Sequence, residues 1–264
     1  MEIATGFIGA FFIGVIMGLM GGGGSILTVP LLVYIMVINP VIATAYSLFI
    51  VGTTAASGSV QNYLKGKIDI KTGLIVAIPS LLVTYTTRRY ILPALPEVIF
   101  TAGSYDFTKN TFVMLLFGII MLMASISMLT RKIAADENEP KTINYLLILP
   151  IVAAIGLLTG LVGAGGGFLI IPMLVFFGGL PMKKAVGTSL FIIAINSLTG
   201  FAGDIQTINI DWEFLLSFTV ISVFGIFAGT YLQRFVNERQ LKRGFGVFVL
   251  LMAAFILSKE IIGW

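Results

Sequence analysis

Gly21-Gly22-Gly23-Gly24-Ser25-Ile26-Leu27-Thr28-Val29-Pro30 lies inside an apolar stretch. It returns 142 residues later as Gly163-Ala164-Gly165-Gly166-Gly167-Phe168-Leu169-Ile170-Ile171-Pro172. Between Gly14–Leu32 and Gly156–Leu174, nine of 19 positions are identical. The same offset carries Ser47-Leu48-Phe49-Ile50 onto Ser189-Leu190-Phe191-Ile192, Gly58 onto Gly200 and Asp69 onto Asp211. One shift held without a gap from Gly14 to Asp69 marks an internal duplication.

Glycine runs of this kind act in two ways. Small residues let helix backbones touch inside a membrane. Each glycine also costs about 1 kcal/mol against alanine within a helix, and the freed backbone can turn sharply. A helix that restarts after such a turn presents N–H groups that suit an anion. Each run is therefore expected to break its segment.

The surrounding composition places the breaks in a bilayer. The chain has 264 residues, 58% hydrophobic and 11% charged, and Ile3 to Leu64 contains no Asp, Glu, Lys or Arg. Apolar runs of this length read as membrane spans. The net charge of +4 reflects basic loops at a membrane face, not nucleic-acid binding. Without cysteine or histidine there is no disulfide, no thiolate chemistry, no metal ligation by those residues and no imidazole acid–base work. Within the expected spans carboxylates fall only at the ends, at Asp204, Glu213 and Glu260, so no catalytic or metal constellation emerges. Neither an enzyme nor a cofactor is expected. Phe7 to Met20 is read as a retained span, because it lacks the basic flank and cleavage site of a leader.

Ten segments follow from the apolar runs and their Gly, Pro and charge boundaries, at 3–20, 25–38, 41–63, 71–91, 111–130, 143–162, 168–180, 184–204, 212–233 and 243–260. Eight can span a bilayer. The two that follow the glycine runs reach only about 20 Å against about 30 Å of hydrocarbon. Short, interrupted segments at matching places in two halves point to a transporter's binding site. If both short segments cross, 12 of the 16 Lys and Arg fall on one side; if both re-enter, the split is 9 to 7. The positive-inside rule selects the crossing arrangement.

The fold expected is thus all-α and polytopic, with two inverted repeats of five segments, four long and one short in each. The repeats are 1–130 and 143–264, joined by a cytoplasmic linker at 131–142, with both termini outside the plasma membrane. Leu92 to Asn110 is read as an external loop. Arg88 and Arg89 are read as snorkelling to the interface, and Asp69, Asp204 and Asp211 as helix caps or loop charges.

The substrate-binding residues expected are Gly22, Gly23, Gly24 and Ser25 at the first break and Gly165, Gly166 and Gly167 at the second. Ser47, Thr188, Ser189 and Asn196 join them from the helix after each break. A lone hydroxyl ordinarily bonds back to its own helix. Ser47 and Ser189 stand out because they are repeat-equivalent, and Asn196 because a buried amide needs a partner. Half-helices entering from opposite faces would aim their N–H groups at an anion held between them. With no Asp, Glu, His, Lys or Arg from Ile3 to Leu64 or from Thr142 to Met182, no coupling proton is expected on a protein carboxylate, and the membrane potential would drive export.

The duplicated G-x-x-x-G-x-x-G-x-G-G with proline six residues on, the following Ser-Leu-Phe run, and the Asp69 and Asp211 loops resemble the sulfite exporter TauE/SafE family of membrane permeases. The resemblance implies export of sulfite, sulfoacetate or another organosulfonate. The family's glycine motifs fall on Gly21–Gly24 and Gly163–Gly167. Its Gly-Thr-Ser-Leu falls on Gly187-Thr188-Ser189-Leu190, where the first copy has Ala45-Tyr46-Ser47-Leu48. Expected partners are a small anionic substrate and the lipid bilayer, with no nucleic acid; a homodimer is compatible with this reading. The alternatives are a permease for another small anion, or an anion channel, which would need a continuous polar filter.

Overall fold

Lipid offers backbone groups no hydrogen bonds, so a spanning apolar chain must satisfy them within helices. A computed structural model describes residues 2–102, 105–130, 145–163, 165–176, 178–233, 235 and 238–262, and almost all of these are helical. The helices are α1 (Glu2–Met20), α2 (Pro40–Leu64), α3 (Ile70–Thr86), α4 (Lys109–Thr130), α5 (Tyr145–Val162), α6 (Gly167–Phe176), α7 (Met182–Asp204), α8 (Trp212–Leu232) and α9 (Glu238–Ile262). Between α1 and α2 lies a first short segment, made of a 3₁₀ helix at Gly21–Leu27, one α turn at Thr28–Pro30 and a π turn at Leu31–Ile35. The expected linker at 131–142 lies outside the described residues. Six described stretches are apolar and long enough to cross a bilayer: Thr5–Ile35, Pro40–Leu64, Ile70–Ala94, Lys109–Ser127, Lys184–Asp204 and Trp212–Leu232.

Thr5–Ile35 is not one straight rod. Gly24 packs against the backbone of Ile16 and Met17, Leu31 reaches Gly9, and Met36 reaches Gly6. The short segment therefore runs back along α1, and Met36 lies level with Gly6 near the start of that helix. Asn39 then starts α2, its side chain accepting from the Val41 N–H at 3.0 Å, with Pro40 in the first turn.

The helix seams recur in pairs. Gly14 and Gly18 of α1 meet the backbone of Ser222, Gly225, Ile226 and Gly229 in α8, so these two helices run parallel. The 142-residue shift carries α1 onto α5 and α3 onto α8. The equivalent seam joins α5 to α3, where Gly156 meets Ser80 and Val83, and Gly160 meets Thr84 and Thr87. That seam has Val83 and Thr87 where the other has Gly225 and Gly229, and Thr84 donates to the Gly156 carbonyl at 3.0 Å. Glycine and small polar residues suit such seams because close van der Waals approach, not water exclusion, joins helices in lipid. At the centre, Gly52 faces Leu198, Gly58 faces Leu190 and Gly200 faces Leu48. Residue numbers rise in α2 as they fall in α7, so this pair is antiparallel.

The stretch Leu92 to Asn110 differs from the loop expected. Leu92–Ala94 extends the α3 stretch, and β1 (Val98–Ala102) pairs antiparallel with β2 (Tyr105–Thr108). Aromatic and β-branched residues favour such a ribbon. Phe100 stacks on Phe107 at 4.6 Å, and Lys109 pairs with Glu97 at 3.2 Å at its base.

Both short segments end in the same left-handed cap. Met36 and Ile38 N–H groups donate to Leu31 and Leu32 carbonyls, as Gly178 and Leu180 donate to Met173 and Leu174. The residue between has φ 62° at Gly179 but φ 56° at Val37, the one non-glycine residue with positive φ among those described. A left-handed side chain costs about 1–2 kcal/mol, of which glycine's unfolded-state freedom returns about 0.5–1 kcal/mol. Val37 is 75% exposed and contributes little packing. Val37→Gly should therefore raise the thermal unfolding midpoint in detergent; a lowered midpoint would contradict the cap.

Candidate functional site

The two glycine runs turn by different means. In the first, only Gly21 has positive φ, at 68°; Gly22 to Leu27 wind straight into the 3₁₀ helix. Ser25 Oγ donates to the Gly22 carbonyl at 2.7 Å, closing the first turn. In the second, Gly163, Gly165 and Gly166 all have positive φ, between 67° and 73°, before α6 begins at Gly167. Each run was expected to break its segment, and the two breaks differ in how many glycines turn the chain. At the first, one left-handed glycine is enough to reverse the chain, and Gly24 serves the contact with α1.

The two breaks meet backbone to backbone. A Cβ on Gly167 would run into the Cα and carbonyl of Gly22, and one on Gly22 would lie 2.6 Å from Gly167 Cα and strike Ile193. This close approach explains why side chains are absent at both positions, and it leaves no room for an anion directly between them. Hydroxyl groups pack against the glycines to either side. Gly21 faces Ser189, whose Oγ would sit 3.2 Å from a Cβ there. Gly165 faces Ser197 Oγ at 2.9 Å from such a Cβ, with Val51 and Ile193 beside it, and Gly166 faces the Thr159 hydroxyl.

Hydroxyl bonding separates the candidates. Ser189 donates to the Val186 carbonyl at 2.8 Å, the ordinary use of a helical serine. Ser47, Ser197, Thr159, Thr28, Thr54 and Ser222 are also buried, yet their hydroxyls have no protein partner. A buried polar group without a partner carries a desolvation cost of about 1–3 kcal/mol, which a ligand at the site would relieve. Ser197 and Thr159 were not among the expected site residues. Their repeat-equivalents are Ala55 and Met17, so a search for matched polar positions passes over them.

Two expected contacts serve the fold instead. The Thr188 hydroxyl accepts from the Asp69 N–H at 2.9 Å, while Tyr46 Oη accepts from the Asp211 N–H at 2.7 Å. Tyr46 and Thr188 are repeat-equivalent, so the first copy's tyrosine does the work of the second copy's threonine. Each aspartate caps the next helix, accepting from Thr72 N–H at 2.9 Å and Phe214 N–H at 3.1 Å. Thr188 thus latches the start of α3 and does not stand at a break. Asn196 donates to Ser80 Oγ at 2.7 Å, and Ser80 returns a bond to the amide oxygen at 3.0 Å, tying α7 to α3.

Arg88 and Asp204 overturn their expected roles. Arg88 is fully buried and Asp204 is 3% exposed. Arg88 Nη1 lies 3.2 Å from Asp204 Oδ2 and donates to Thr44 Oγ1 at 3.0 Å. The guanidinium does not snorkel, and the carboxylate is no solvated cap. Thr87–Ile91 forms a π turn just before Pro93. Arg88 follows the buried Ser80 and Thr84 at four-residue spacing on one helix face, and that register turns it towards the second break, where a Cβ on Gly163 would lie 2.7 Å from Nη2.

Comparison with known proteins places this architecture. The family described as sulfite exporter TauE/SafE matches residues 6–256. A "Probable membrane transporter protein" of Xylella fastidiosa (strain 9a5c) is 31% identical over 260 residues, covering 94% of this chain and 92% of its own. "Probable membrane transporter protein YunE" of Bacillus subtilis (strain 168) is 26% identical over 273 residues, covering 94% of each chain. "Probable membrane transporter protein MJ0441" of Methanocaldococcus jannaschii is 36% identical over 126 residues, covering 44% of this chain and 47% of its own. No solved structure matches the chain.

Proposed function

The chain belongs to the sulfite exporter TauE/SafE family, and from that premise we propose that it is a secondary transporter exporting a small sulfur-containing oxyanion such as sulfite, sulfoacetate or another organosulfonate. It is a multi-pass membrane transporter and not an enzyme. The observation that carries the proposal is the meeting of the two breaks at Gly22 and Gly167, flanked by buried hydroxyls without partners. Two interrupted segments converging on one place suit alternating access around a fixed site. The anion would bind beside that meeting point, against Ser47, Ser197 and Thr159 and the N–H groups of Gly22–Ser25 and Gly165–Gly167.

The same reading takes the chain as two inverted repeats, 1–130 and 143–264. Its support is directional: α2 and α7 are repeat-equivalent yet antiparallel, while α1 runs parallel to α8 and α5 to α3. A two-fold axis in the membrane plane relates equivalent helices in this way. The positive-inside rule then puts the 131–142 linker in the cytoplasm and both termini outside the plasma membrane.

The test is a proteoliposome uptake panel of sulfite, thiosulfate, sulfate, sulfoacetate and taurine. Saturable flux of sulfite or sulfoacetate is expected, with sulfate much slower. Single-channel currents in planar bilayers, or flux confined to anions without sulfur, would overturn the reading.

A further inference from the structure

We propose that Arg88 is the charged ligand of the anion path, held in reserve by Asp204 as a resident counterion. The inference rests on the transport reading above and adds to it a cation that the glycine breaks themselves lack. Arg88 is fully buried, and its Nε and Nη2 have no hydrogen-bond partner. Its one engaged nitrogen, Nη1, is shared between Asp204 and Thr44. A guanidinium offers five N–H donors in a fork that matches an oxyanion with two parallel bonds. Here the part of the fork left over points at the second break, where Gly163 is the residue whose missing side chain makes room for Nη2.

The internal repeat shows that this is no requirement of the fold. At the matching place in the other half, Arg88 is replaced by Thr230 and Asp204 by Asn62. Thr230 bonds to its own helix at Ile226, and Asn62 to its own helix at Gly58. The architecture is therefore built once with a neutral pair and once with a charged one. The charged copy lies near the Asn39 end of α2, because Asp204 ends the antiparallel α7 and Thr44 stands in the first turns of α2. A buried arginine without a counter-charge is strongly unfavourable, so Asp204 holds it while no anion is bound. An entering oxyanion takes the free Nε and Nη2 edge and competes with Asp204 for the same positive charge.

The experiment uses the full chain with sulfite as the probe, read by flux in proteoliposomes and by sulfite-dependent thermal stabilisation in detergent. Arg88→Gln alone leaves Asp204 unpaired, so the informative variant is the neutral pair R88Q/D204N, which copies the chemistry of the other half. The pair is expected to fold, to lose at least about tenfold in flux and to lose the sulfite-dependent stabilisation. Asp204→Asn alone removes the competitor and leaves Arg88 without a counter-charge, which lowers stability; in the protein that folds, sulfite takes that place and the sulfite concentration for half-maximal flux should fall several-fold. If Arg88 and Asp204 only brace the helices, the neutral pair regains wild-type flux and stabilisation, and the proposal is overturned. Wild-type protein that carries no sulfite removes the transport reading instead. Arg88 is then judged on stabilisation alone: a sulfite effect present in wild type and absent in the pair upholds it, and no sulfite effect in wild type overturns it.

Discussion

Leucine at Gly167 is expected to reduce sulfite flux at least about a hundredfold, equivalent to roughly 2.7 kcal/mol on the limiting step, while the protein still inserts and elutes as a folded species. Gly167 is the first residue of α6 and is not among the glycines with positive φ. A side chain there meets no backbone strain, and its effect reports the close approach alone. The atoms it would strike are the Cα and carbonyl of Gly22, which cannot swing aside as a side chain can. Wedging the two breaks apart should block their coming together, and the hydroxyls on either side would lose their register. Two comparisons make the result specific. Gly244 has nothing within 4 Å of an added Cβ, so leucine there should leave flux unchanged. Gly14 faces the backbone of Ser222 and Gly225 across the α1–α8 seam, so leucine there should deplete folded protein rather than slow it. Initial rates in proteoliposomes, normalised to monodisperse protein, distinguish the three. Wild-type flux from Gly167→Leu would reduce the meeting of the breaks to passive packing.

Much of this fold is legible in the sequence because lipid leaves few choices. Charge-free apolar runs must be helical, and the described residues are predominantly helical, with six stretches long and apolar enough to span. Both breaks fall where glycine runs predict. The way each break turns is less legible: Gly21 alone reverses the first run while three glycines reverse the second, a difference decided by what each run packs against. Thr188 looked like a site residue because it stands beside Ser189. Only the fold reveals that it and Tyr46 serve as the same latch. The largest departure is Arg88. An arginine near a helix end reads alike whether it snorkels or turns inward, and here its four-residue register with the buried Ser80 and Thr84 turns it inward. One signal was present in the sequence: the repeat exchanges Thr230 and Asn62 for Arg88 and Asp204 together. A paired gain of opposite charges at equivalent positions points to an ion pair.

A membrane potential imposed at constant pH is expected to drive the flux, with no proton gradient required. Asp204 is the buried aspartate or glutamate among the described residues, and Arg88 lies 3.2 Å from it. The pair carries no net charge, so Asp204 stands as a counterion and not as a vacant proton site. Glu97 pairs with Lys109, and Glu260 accepts from Tyr34 at 3.1 Å near the end of α9. Asp69 and Asp211 cap helices. Without a carboxylate that must change protonation for each anion carried, movement of a monovalent oxyanion transfers net charge. The potential then contributes about 2.3 kcal/mol per 100 mV, or a gradient of roughly fiftyfold at equilibrium. A negative interior expels the anion, which agrees with export. Liposomes clamped with potassium and valinomycin should show sulfite flux that reverses direction with the sign of the potential, in Asp204→Asn as in wild type. Flux that ignores the potential, follows an imposed pH gradient and is lost in Asp204→Asn would make Asp204 a proton carrier and end the uniport reading.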